Sequence, residues 1–191
     1  MRVLFIIPAF NASGNIEKLA TSLIRQTCND WDAIIIDDMS EDDTYEMASK
    51  FRNDHFTVIK NKEKKYALRN IVENARHFQD MDDIIVAVID GDDYLCNERT
   101  VELLIKEYES GGDVVWTGHR WDINDMNISR PMPENVDPYM WPWCSSHLRT
   151  FKSELLGKIS DDNFKDVNGN WFKRGYDQAL MLPLLHISSS R

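Results

Sequence analysis

The chain has 191 residues, 42% of them hydrophobic and 28% charged, enough for one domain with a sizeable core. Its formal net charge of -10 argues against nucleic acid or an anionic membrane as the main partner, because phosphate contacts need clustered Lys and Arg. No apolar run approaches the ~20 residues of a membrane span, so no integral membrane segment is expected.

Met1 to Pro8 is basic and then apolar, but too short for a signal peptide, and Val3 to Ile7 reads as a first strand. Ile16, Leu19, Ala20, Leu23 and Ile24 then form the buried stripe of a helix. Ala33 to Ile36 is a second strand ending in Asp37 and Asp38. Ser40 to Asp43 has capping-box spacing ahead of a helix that presents Thr44, Met47, Ala48 and Phe51. Phe56 to Ile59 predicts a short third strand, and Leu68, Ile71, Val72 and Ala75 predict a helix from near Tyr66. Ile84 to Ile89 is a continuous apolar run, the pattern of a strand buried on both faces. Val101, Leu104, Ile105 and Tyr108 stripe another helix, stopped by Gly111 and Gly112, and Val114 to Trp116 is a fifth strand.

Beyond residue 117 the chain is rich in Trp and Pro, with Trp121, Trp141, Trp143 and Trp171 among the residues (Trp141 and Trp143 being the candidate sugar platforms). A helix from about Arg174 carries Tyr176, Asp177, Leu180 and Met181 ahead of Pro183. Cys28, Cys96 and Cys144 are too widely spaced for a metal knuckle or a disulfide framework, which points to a reducing compartment. The alternation of strands and amphipathic helices predicts an α/β fold with a mostly parallel central sheet.

Ligands of such sheets bind beyond the carboxyl ends of the strands. Both acidic clusters, Asp37 with Asp38 and Asp90 with Asp92 and Asp93, sit at strand C-termini and so on one rim if the strands are parallel. Three carboxylates in four residues repel one another, and a divalent cation would offset them. An acidic turn around Gly91 is the plain alternative. An EF-hand fails, because the twelfth position counted from Asp90 is Val101. A phosphatase with Asp90 as nucleophile would place Thr or Val where Tyr94 stands. Metal–diphosphate binding is the third reading.

Taken together, residues 1 to 187 resemble the family 2 glycosyltransferases of the GT-A fold. The resemblance rests on Ile6 to Asn11, on Ile34 to Thr44 as the second-strand motif, on Leu68 to Asn70, and on Val88 to Asp93 as the DXD motif. Ser145 to Lys152 is similar to the segment that closes the donor pocket, and Gly175 to Leu180 to the segment carrying the catalytic base. Tyr176 stands where the family usually has Glu, and Glu63 to Lys65 where a glycine is common.

The resemblance implies a Rossmann-like GT-A domain over 1–191, with a nucleotide-sugar half (1–116) and a loop-rich acceptor and catalytic half (117–191). It implies a hexosyltransferase-type enzyme that uses Mn2+ or Mg2+ and a UDP-sugar and acts with inversion on a glycan, protein or small-molecule acceptor. Pro8 and Ala9 would line the base and ribose, Asp38 would accept from the base, and Arg69 would face the diphosphate. Gly91 would keep the backbone compact there. Asp90 and Asp92 would hold the metal, His147 would contact the donor site, and Asp177 would be the general base. A soluble, cytoplasmic protein is expected. The rival functions are the phosphatase and a non-catalytic nucleotide-sugar or glycan-binding module.

Overall fold

The computed structural model describes residues 1–188 apart from 125, 128 and 134; the tail at 189–191 lies outside the described residues. Six strands form one sheet: β1 (Arg2–Ala9), β2 (Trp31–Asp37), β3 (Phe56–Lys60), β4 (Ile84–Val88), β5 (Val114–Trp116) and β6 (Arg149–Lys152). Their order is β3-β2-β1-β4-β6-β5. β1 pairs in parallel with β2 and β4, and β2 with β3, while β6 runs antiparallel between β4 and β5. The expected mostly parallel α/β sheet is therefore present.

Helices cover both faces, which is why the central strands β1 and β4 are apolar along nearly their whole length. Helices α1 (Ile16–Ile24), α2 (Thr44–Ser49) and α4 (Thr100–Glu109) pack on one face, where Ile16, Leu19, Leu23, Val101 and Leu104 join Phe5, Ile7 and Ile35. Helices α3 (Tyr66–Ala75), α5 (Ser153–Gly157) and α6 (Tyr176–Ile187) pack on the other, where Leu68, Ile71, Leu156, Leu180 and Leu184 meet Ile6, Val86 and Val88.

One local expectation is corrected, and two features lie beyond the expected elements. Ser40 does not cap α2: the helix begins at Thr44, and the Ser40 hydroxyl instead accepts from the Asn11 amide at 2.9 Å. Asp42 takes over at that end, its carboxylate accepting from the Thr44 and Ser13 amides at 3.0 and 3.1 Å and so pinning the β1–α1 loop to the β2–α2 loop. Pro183 does not end α6, which runs on to Ile187 with the proline inside it. Strand β6 has no counterpart in the expected elements. Its buried positions include Arg149 and Thr150, so the apolar signature of an inner strand is missing; Thr150 is satisfied by Tyr108 at 2.7 Å and by the Val115 carbonyl at 2.7 Å.

Candidate active site

The parallel register brings the ends of β1, β2 and β4 to one rim, with Ala9 opposite Asp37 and Ile6 opposite Val88. Two backbone bonds lock that rim together. The Asp38 amide donates to the Ala9 carbonyl at 2.9 Å, and the Gly91 amide donates to the Pro8 carbonyl at 3.1 Å. Pro8 and Ala9 therefore stand between the two acidic clusters. Gly91 is needed at this junction because a β-carbon there would lie 2.8 Å from the Ala9 Cβ.

On the β2 side, Asp38 is 3% exposed and holds the 61–66 loop. Its carboxylate accepts from the Asn61 side chain and from the Lys65 and Tyr66 amides, each at 2.8 Å. Asn70 braces the same loop by accepting from Asn61 at 2.8 Å. Burial alone would raise the Asp38 carboxyl, but the donors from Lys65, Asn61 and Tyr66 outweigh it and hold it below its ordinary value. Asn11, Met39 and Tyr66 adopt positive φ at 51°, 60° and 63°, in the segments that follow β1 and β2 and open α3. Such backbone strain gathers where a surface must be held in a set shape. Phe10 lies 48% exposed beside it, with the Lys64 ammonium over its ring, and Lys64 is 3.8 Å from Asp38.

On the β4 side, Asp90 is the hub. Its Oδ1 accepts from the Tyr176 hydroxyl. Its Oδ2 accepts from an Arg149 terminal nitrogen at 3.1 Å and lies 3.5 Å from His147 Nε2. Tyr176 also accepts from Arg149 at 2.8 Å, and the guanidinium lies 5.0 Å from its ring centroid. Burial pushes the Asp90 carboxyl up, yet the His147 hydrogen bond, the Arg149 charge and the Tyr176 hydroxyl together bring it down to about 2. Asp93 goes the other way: burial, together with the charges of Asp90 and Asp92, raises its carboxyl against the pull of His147. Asp93 lies 3.4 Å from His147 Nε2, and His147 Nδ1 meets the Ser146 hydroxyl at 2.7 Å.

Ligand atoms of Asp90, Asp93 and His147 lie within 4.8 Å of one another, so the three converge on a volume that a cation would suit. The two carboxylates fit Mn2+ or Mg2+ chemistry, and the imidazole favours the transition ion of the two. Asp92 is exposed at the edge of this group, lining with Asp93 and His147 a cavity of about 1010 Å³ that runs beneath the 117–123 segment to Trp116 and Trp121.

Asp177 is half-buried in the first turn of α6, directly after Tyr176, near enough to the Arg149 guanidinium and the Tyr176 phenol for its charge to favour their protonated forms. Gly175 precedes it at φ 61°, a turn that brings the chain into α6. Arg69 is paired with Glu73 at 2.6 Å and Glu63 at 3.1 Å, neither of which belongs to the carboxylate cluster. Trp141 is exposed and Trp143 packs against the core; neither lines the cavity, which Trp116 and Trp121 do line. Arg149 and Tyr176 escaped the sequence reading as functional residues. The available signals were a charged residue in a segment that pairs as a strand, and a phenol at a position where the family usually has an acid.

The family model described as glycosyl transferase family 2 matches residues 4–172. The chain belongs to glycosyl transferase family 2. Among solved structures, this family 2 chain is similar to S. aureus TarS 1-349 in complex with UDP (TM-score 0.68, 20% identity, covering 93% of this chain and 53% of that one). It is also similar to the mannosyltransferase PcManGT from Pyrobaculum calidifontis in complex with GDP-Man and Mn2+ (TM-score 0.59, 19% identity, covering 82% and 46%). A 4-diphosphocytidyl-2C-methyl-D-erythritol synthase shares the fold more loosely, at TM-score 0.53 and 11% identity over 96% and 97%. The chain thus spans about half the length of the transferases it resembles. No curated protein matches it. No helix among its described residues is long and apolar enough to cross a membrane.

Proposed function

We propose that this family 2 domain transfers a sugar from a nucleotide-diphosphate sugar, a UDP-sugar in the first instance, to an acceptor hydroxyl with inversion. The observation that carries the reading is the rim itself: Ala9 is bonded to Asp38, and its neighbour Pro8 to Gly91, so one hydrogen-bonded rim joins both acidic clusters.

Pro8, Ala9 and Phe10 form the wall for base and ribose. A carboxylate offers about four acceptor positions. Three protein donors occupy Asp38, leaving one position on Oδ2 for the imide N–H of uracil. The diphosphate lies over Gly91, and Arg69 turns towards it from α3 on release of Glu63. Asp92, Asp93 and His147, with Asp90 behind them, hold a Mn2+ or Mg2+ ion. That ion supplies Lewis-acid stabilisation of the departing diphosphate. The acceptor is a glycan, a protein or a small molecule. Asp177 accepts the proton from the acceptor hydroxyl as that oxygen attacks the anomeric carbon, and the C–O bond to the diphosphate breaks on the opposite face. The phosphatase reading loses ground, because Tyr176 and Arg149 engage both oxygens that an Asp90 nucleophile would need.

The test is a calorimetric titration of UDP-, GDP- and TDP-sugars with and without Mn2+, on the wild type and on Asp92→Ala. Metal-dependent binding of one nucleotide class, weakened by the substitution, is expected. Binding of none in a metal-dependent way overturns the reading. Tight binding of a donor without transfer to any acceptor would favour a non-catalytic module.

A further inference from the structure

The largest fully buried side chain of the domain is an arginine. Arg149 is 2% exposed in β6, and its guanidinium carries a permanent positive charge against Asp90 at 3.1 Å. Its Nε has no hydrogen-bond partner among the described residues, so this arginine is not buried for a full set of hydrogen bonds. What it does supply is charge at one carboxylate. Tyr176 closes the other side, bonding both Asp90 and Arg149.

This arrangement bears on which carboxylates a cation can use. A divalent ion sits about 2.1 Å from a ligand oxygen. On Asp90 Oδ2 it would stand one carboxylate away from a buried guanidinium in a poorly screened interior, where like charges repel strongly. On Oδ1 it would share the oxygen with the Tyr176 hydroxyl, which lies against the same buried guanidinium. Asp93 feels the Arg149 charge only at a distance and is contacted by His147 at 3.4 Å, and Asp92 is exposed on the open side. Tyr176 is also the first residue of α6, so the bond that engages Asp90 ties the start of that helix, and Asp177 next in line, to the end of β4.

We propose that Arg149 and Tyr176 are a positioning pair that keeps Asp90 as an internal counter-ion outside the cation's coordination shell, leaving the cation to Asp93 and His147 with Asp92 beside them. The proposal rests on the metal-dependent reading above and sharpens it. Asp90 sets the shape of the rim, and the Tyr176 bond sets the distance from β4 to α6.

Metal affinity tests the pair without turnover. Free Mn2+ is titrated by its EPR signal, in the absence of nucleotide, against wild type, Tyr176→Phe and Arg149→Gln, with thermal melts to confirm folding. Releasing Asp90 makes it available to the ion, so Mn2+ binding is expected to tighten, about threefold or more in Tyr176→Phe and about tenfold or more in Arg149→Gln. Mere structural damage would loosen a metal site and cannot produce that gain. Unchanged or weaker Mn2+ binding in the folded variants overturns the proposal, as does no Mn2+ binding by any of the three proteins. Should Arg149→Gln fail to fold, Tyr176→Phe decides. UDP binding is titrated in parallel: its absence, with the Mn2+ order intact, would strike the donor reading and leave the pair standing.

Discussion

Gly91 is packed against Ala9, so that any side chain at 91 meets the end of β1 at 2.8 Å from the Ala9 Cβ and 3.0 Å from its Cα. Neither neighbour can yield, since one is backbone and the other is fixed to it. Gly91→Ala should therefore cost about 1–3 kcal/mol by overpacking and spread the β1–β4 junction at which the Gly91 amide reaches the Pro8 carbonyl. Urea denaturation measures the first effect. Nucleotide-sugar titration measures the second, expected as a loss of at least tenfold in affinity.

Asp38 makes stability depend on pH in a direction that can be worked out. Its folded carboxyl lies below the ordinary value, so its contribution is fully present above the usual aspartate value of about 3.9 and is lost as pH falls through the lower, folded value. Asp38→Asn should destabilise the domain on the order of 3 kcal/mol near neutrality, because three donors lose a charged acceptor. The melting temperatures of wild type and variant should then converge on acidification below that range. A gap that stays constant down to pH 2 would show that the carboxylate charge is not what the loop depends on.

These two positions also show how far the sequence could be read. Strands β1 and β4 were legible because both faces are covered by helices, which forces continuous apolar runs such as Ile84 to Val88, while β2 and the edge strand β3 showed only the shorter runs Ala33 to Ile36 and Phe56 to Ile59. The acidic ends of β2 and β4 were legible because the carboxyl rim of a parallel sheet is where such residues gather. Strand β6 was not, since a buried Arg149 and Thr150 satisfied by partners more than 25 residues away leave no local pattern. The same holds for the division of labour among Asp90, Asp92 and Asp93. Spacing puts all three at one turn, but only the tertiary contacts of Tyr176, Arg149 and His147 distinguish them.

The cation side yields its own prediction. Loss of a partner that merely orients a metal ligand lowers affinity by about 10–100-fold, so Asp93→Ala and His147→Ala, which remove ligand atoms outright, should each weaken Mn2+ binding by no less than tenfold. Burial, together with Asp90 and Asp92, raises the Asp93 carboxyl, so protons should compete with the cation at pH values above the ordinary aspartate range. Mn2+ titrations at a series of pH values should show affinity falling as pH is lowered, and less steeply in Asp93→Ala. Chelation by EDTA should abolish transfer, and added Mn2+ should restore it.

Asp177 separates an enzyme from a binding module. The residue opens α6 directly after Tyr176 and is half-buried, and the Tyr176 bond to Asp90 sets that helix start against the end of β4. Asp177→Asn keeps the shape of the side chain and removes its capacity to take a proton. General-base catalysis is worth about 10²–10⁴-fold, so single-turnover transfer from a bound UDP-sugar should slow by that factor while donor affinity stays within about twofold of wild type. The pairing of a lost rate with unchanged binding is what a base predicts. A rate unaffected by the substitution would remove Asp177 from the role.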